Sequence, residues 1–176
     1  MNTKIISFAI EAHQNTNHLY DQNPYSVHLA IVVSYAQKYI YLLPENLQDD
    51  VISACWLHDT IEDCRLTYND LAQEANTNVA EIVFAVTNEK GKNRKERANA
   101  KYYEGIRNTV GAIFVKLCDR LANVKYSKDT SSRMLEVYKN EYPEFIKALF
   151  PHNLNGENEK MLYYPILKDL EEIINT

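Results

Sequence analysis

The stretch "VGAIFVKLC", residues 110–118, is where this chain comes nearest to the composition of a buried strand. A strand needs a partner, and no alternating apolar and polar run elsewhere in the 176 residues offers one. The run is therefore read as part of a buried helix over residues 110–126, turning polar at Asp119, and the chain as all-α. Only four Gly and five Pro interrupt it, which favours long helices over tight turns.

The remaining pattern agrees. Ile5, Ile6, Ala9 and Ile10 give residues 3–14 one apolar side. The polar stretch "HQNTNHLYDQNP" reads as a loop, with Pro24 as the first residue of the next helix, which carries Val27, Leu29 and Ile31 to Val33. Pro44 restarts the chain, and Leu47, Val51, Ala54, Cys55 and Leu57 form a stripe leading to His58. Thr67 followed by Asp70 resembles a capping box. Val79, Ile82, Val83 and Val86 mark another helix, followed by a polar, basic loop around Gly91 that enters a helix near Arg94. Residues 131–149 and 158–174 read as two further helices.

An apolar fraction of 45% over one domain's length supplies a single core, so residues 1–176 are expected to form one domain. The net charge of -5 argues against a nucleic-acid partner. Asn2, Thr3 and Lys4 lead into an amphipathic segment, which does not read as a signal peptide. No apolar run reaches the ~20 residues needed to span a bilayer, so no membrane association is expected. Three cysteines with no C-x-x-C pair suggest reduced thiols and a cytoplasmic location.

The chemistry concentrates in "CWLHDTIEDC", residues 55–64, where His58, Asp59, Glu62 and Asp63 follow an apolar run. If the helix continued, i,i+4 spacing would bring His58 near Glu62 and Asp59 near Asp63. A His-Asp pair at a helix end is often merely solvated. Here His28 opens an otherwise apolar helix and Asp119 interrupts a second one. Buried acids and imidazoles on apolar helices are costly unless paired or bound to a cation.

The order His28, His58–Asp59, Asp119 resembles the H…HD…D pattern of HD-domain metal-dependent phosphohydrolases. "PYSVHLAIVV", "LHDTIEDC" and "VKLCDRLANV" are similar to PYxxHPxxVA, LHDTVEDT and VKLADRLxNM of the RelA/SpoT-type (p)ppGpp hydrolase branch, which includes stand-alone small alarmone hydrolases. The likeness covers roughly residues 5–150.

This resemblance implies a helical HD-domain bundle and a Mn²⁺ ion held by His28, His58, Asp59 and Asp119. Imidazole and carboxylate donors suit a first-row divalent ion better than Ca²⁺, without choosing among Mn²⁺, Fe²⁺ and Zn²⁺. It implies that Glu62 and Asp63 position or activate the attacking water, and that the 3′-diphosphate of (p)ppGpp is hydrolysed to pyrophosphate and GDP or GTP. The basic run Lys90, Lys92, Arg94, Lys95 and Arg97 falls, by the same resemblance, where a polyphosphate would enter in that family. Lys90, Arg94, Asn123, Arg133 and Tyr138 are the implied nucleotide contacts. The family's Arg-Lys element before the first histidine is absent, and His18 and Tyr20 stand in that stretch as aromatic candidates to stack on a base. Two alternatives therefore stay open: hydrolysis of another nucleotide or dinucleotide phosphate, and a metal- and nucleotide-binding module without turnover. The terminal helix packs either on its own core or on a partner, which leaves a homo-oligomer open.

Overall fold

A computed structural model describes residues 2–176. The helices are α1 (Thr3–Asn15), α2 (Ser26–Tyr39), α3 (Glu45–Leu57), α4 (Thr60–Asp63), α5 (Tyr68–Glu74), α6 (Thr77–Val86), α7 (Arg94–Arg97), α8 (Ala100–Asn108), α9 (Ala112–Asp129), α10 (Met134–Leu149), α11 (Leu154–Leu162) and α12 (Tyr164–Ile174). The all-α expectation holds apart from one two-residue hairpin, β1 (Leu19–Tyr20) paired antiparallel with β2 (Asn23–Pro24).

The "VGAIFVKLC" run lies largely in α9, the central element, which packs against α2, α3, α6, α8, α10 and α12. A helix surrounded on all sides must be apolar on all sides. That is why Ala112 to Val115, Leu117, Cys118, Leu121, Ala122 and Val124 are all buried, and why periodicity alone could mistake the run for a strand. Gly111 caps the start of α9 with φ 89°, a left-handed conformation that favours glycine. A Cβ built there would stand 2.9 Å from Val51 Cγ2 and 3.3 Å from Ile82 Cδ1, so α3 and α6 press directly on this backbone.

Prolines account for several differences from the expected boundaries. Pro24 does not open α2; it closes β2 opposite Leu19, and the helix begins at Ser26. Instead of one helix over 158–174 there are two, divided at Tyr163, with Pro165 in the first turn of α12, where its missing N–H costs nothing. Pro143, by contrast, lies inside α10, which continues through it. The polar stretch after α1 contains the hairpin rather than only loop, and α8 forms where no separate helix was expected. The terminal helix packs on its own core: Ile166, Leu167, Leu170 and Ile174 of α12 are buried, with α9 and α10 as neighbours.

The three cysteines are buried free thiols. No helix among the described residues is long and apolar enough to cross a membrane.

Candidate metal centre and substrate cavity

The break between α3 and α4 is built by the motif itself. A helix end leaves its last carbonyls without N–H partners. His58 Nδ1 takes the Cys55 carbonyl at 2.9 Å, and the Thr60 hydroxyl donates to the Leu57 carbonyl at 2.7 Å. The helix stops, so the i,i+4 pairing expected of an unbroken helix is not what organises this segment. The His58 and Asp59 side chains instead converge, with His58 Nε2 2.9 Å from Asp59 Oδ2. Because a carbonyl only accepts, His58 Nδ1 carries a hydrogen, which in the neutral ring leaves the Nε2 lone pair facing inward.

His28, at the start of α2, presents its Nε2 to that of His58 at 3.2 Å. Asp59 Oδ2 lies 3.6 Å from His28 Nε2, and Asp119 Oδ1 of α9 lies 3.4 Å from His28 Nε2 and 3.7 Å from His58 Nε2. His28, His58 and Asp119 are all buried, with one donor atom each within 4.8 Å of the others. Asp59 touches both imidazoles from the cavity side. A six-coordinate ion with bonds of about 2.1 Å spaces adjacent donors about 3 Å apart, so this set fits a divalent cation.

The charges agree with that fit. Burial would push Asp119 up, but Lys116 Nζ at 2.9 Å, with the two histidines, holds its carboxyl well below the usual range. Burial likewise opposes ionisation of Asp59, and the His58 imidazole overcomes it, keeping the carboxyl ionised. Burial pushes His58 down, yet Asp59 and then Asp119 carry it up to about 9.

Several supporting residues escaped the sequence reading. The Tyr25 hydroxyl donates to Asp59 Oδ2, and its ring packs against both His13 and His18 at 4.3 and 4.0 Å, the two imidazoles themselves lying 5.3 Å apart. Tyr25 stood within the quoted "PYSVH", three residues before His28, and its place there was the available signal. Lys116 was signalled by its i,i+3 spacing to Asp119. Asn123 shares the Asp119 face as expected, donating Nδ2 to that carboxylate and accepting the Tyr20 hydroxyl at 3.0 Å.

A cavity of about 980 Å³ opens beside this centre. Asp59, Glu62, Asp63, Arg94, Asp119, Asn123 and Tyr138 line it. Lys90 and Arg133 are exposed and lie outside the lining, whereas Lys116, Arg120 and Arg107, not singled out in the sequence, belong to it. Glu62 is held by the Asn88 side chain at 2.9 Å and lies 3.7 Å from Arg97. Burial, reinforced by Asp59 and Glu62, pushes the Asp63 carboxyl up to about 7, and His18 Nδ1 stands 3.6 Å from it. His18 stacks on Tyr25, and Tyr20 packs on Tyr126 with ring centres 4.4 Å apart.

Comparison with known proteins gives a consistent picture. A zebrafish (Danio rerio) protein named guanosine-3′,5′-bis(diphosphate) 3′-pyrophosphohydrolase MESH1 is 32% identical over 124 residues, covering 68% of this chain and 65% of that protein. The human protein of the same name is 30% identical over 112 residues, covering 63% and 62%. A Vibrio cholerae serotype O1 guanosine-3′,5′-bis(diphosphate) 3′-pyrophosphohydrolase is 27% identical over 164 residues, covering 84% of this chain and 22% of its own length. The matches thus span less than two-thirds of these relatives. A solved structure described as "A metazoan ortholog of SpoT hydrolyzes ppGpp and plays a role in starvation responses" superposes with a TM-score of 0.70 at 20% identity, over 98% of this chain and 93% of that one, and so shares its fold. The family model described as HD domain matches residues 6–144, over the segment that carries His28, His58–Asp59 and Asp119, and this chain belongs to the HD domain family.

Proposed function

We propose that this protein is a metal-dependent hydrolase of guanosine 3′,5′-bis(diphosphate), with the whole chain acting as one catalytic domain. The observation that carries the reading is the cluster of His28, His58, Asp59 and Asp119 donors at one end of a cavity with basic side chains on its wall. The names of the relatives support the substrate. Mn²⁺ is the ion assigned here, on the resemblance of the motif and the mixed nitrogen and oxygen donors. A bound divalent ion supplies Lewis-acid charge to a phosphoryl group and acidifies a water molecule.

The protein's own groups do the remainder. Asp63, with its carboxyl near neutrality, is suited to take a proton from water and return it to the leaving oxygen. Glu62, fixed by Asn88, orients that water. Tyr25 and Lys116 hold Asp59 and Asp119 in place. Arg94, Asn123 and Tyr138 contact the nucleotide, with Lys90 and Arg133 as outer basic groups that meet it on approach. Water attacks the phosphorus bonded to the 3′-oxygen, that P–O bond breaks, and pyrophosphate leaves with GDP, or with GTP where the 5′ group is a triphosphate. The free thiols suit a reducing, cytoplasmic setting.

The absent Arg-Lys element, whose place is taken by the His18–Tyr25 stack, supports a second reading in which another nucleotide or dinucleotide phosphate is the substrate. Product analysis with purified protein, Mn²⁺ and ppGpp decides, beside a chelated control, Asp119→Ala and a nucleotide panel. Metal-dependent release of pyrophosphate and GDP, abolished in the variant, is expected. Turnover of a different nucleotide alone would overturn the substrate and keep the metal chemistry.

A further inference from the structure

Two arginines of the cavity share one carboxylate. Arg94, at the start of α7, donates Nε and Nη2 to the two oxygens of Glu141 at 2.8 and 3.0 Å. Arg120 of α9 donates Nη1 to the same group at 3.1 Å. Both guanidiniums lie over the Tyr138 ring, at 5.5 and 4.8 Å, and Arg120 also lies over Phe145 at 4.4 Å. The Arg120 side chain is only 11% exposed, whereas that of Glu141 is 32% exposed. Arg120 is therefore enclosed by aromatic faces, whereas Arg94, 47% exposed, and Glu141 both face the open cavity.

A carboxylate in a guanidinium fork places its two oxygens as a phosphate would. The cluster of two guanidiniums and one carboxylate keeps a net positive charge. The pair is bidentate, but its acid partner is partly solvated, so water can take over the carboxylate as it leaves. A phosphate with two negative charges competes well for both arginines. A nucleotide with diphosphates at both the 3′ and 5′ positions needs two anion seats: the metal centre serves the reacting end, and this fork lines the same cavity.

The geometry points to Arg94 and Arg120 as a clamp for the 5′-diphosphate of a guanine nucleotide, a seat that Glu141 fills in the free protein and vacates when the nucleotide enters. The source of the phosphate rests on the proposed hydrolase reading; the clamp itself is tested without turnover. Glu141 then acts as an internal competitor that sets how tightly nucleotides are held.

Calorimetric titration with GDP, on proteins whose melting curves show them folded, tests this. Glu141→Gln should bind GDP about tenfold tighter than wild type, and Arg120→Gln about tenfold weaker or more. Unchanged or weaker binding in Glu141→Gln would make Glu141 an anchor that positions the arginines and would overturn the proposal, as would absence of GDP binding to any of the proteins. A second measurement reads ¹⁵N-labelled wild type itself and needs a folded variant only to assign one signal. The Arg94 Nε–H signal, identified by its loss in Arg94→Lys, should shift on saturation with GDP, and a fixed signal overturns the exchange of partners. Cleavage of ppGpp by wild type with no effect of Glu141→Gln on GDP affinity refutes the clamp alone. The expected clamp behaviour without ppGpp cleavage refutes the hydrolase reading alone.

Discussion

Burial pushes the His13 imidazole down to about 4, and its Nε2 has no hydrogen-bond partner among the described residues. In the unfolded chain the same group titrates near about 6.5. Between these values the unfolded state takes up a proton that the folded state refuses. The contribution of His13 to stability is thus whole above about pH 6.5 and is lost as the pH falls toward 4. Wild type should lose stability over that window relative to His13→Gln, measured by urea unfolding at several pH values; parallel profiles would show that His13 titrates normally. Nothing in "EAHQN" announces this behaviour, because it depends on the His18 and Tyr25 rings that fold over His13. Asp119 is the opposite case. An acid within "VKLCDRLANV" has no packing reason to be there, so the residue itself carried the signal.

Elements were legible wherever their determinants are local. Thr67 and Asp70 form the expected capping box: each side chain accepts from the other's backbone N–H, at 3.3 Å from Asp70 and 2.8 Å from Thr67. Since α5 has only seven residues, this cap matters to it. Thr67→Ala should cost about 1 kcal/mol, seen as a lower urea midpoint with an unchanged slope. A neutral result would mean that packing of Leu71 alone holds the helix. By contrast, α8 was missed because Tyr102 and Ile106 are its only buried side chains, too short a stripe to stand out beside Gly105. The cavity wall was missed in part for a related reason. Arg120 and Glu141 meet only because α9 and α10 pack together, a relation between faces that spacing within one helix does not encode.

At the scale of the molecule, the candidate ligands come from α2, from the α3–α4 junction and from α9, segments far apart in the chain. An ion bound by all of them would favour the folded state by mass action. Mn²⁺ at about a hundredfold above its dissociation constant should raise the melting temperature by about 5–10 °C, with the shift lost in Asp119→Ala. An equal shift in that variant would place the stabilising ion elsewhere. The expected HD-domain bundle follows from the same assembly, since only a fold that brings these helices side by side gathers the donors.

Gly111 links these scales. Its bare backbone, pressed by Val51 and Ile82, fixes where α9 begins, and Asp119 lies eight residues, or about 12 Å, further along a rigid rod. A methyl group added at its head would be transmitted as an axial displacement to a carboxylate that must meet two imidazoles within a few tenths of an ångström. Gly111 thus behaves as the gauge stop of the candidate metal centre, setting the position of a donor that it never touches.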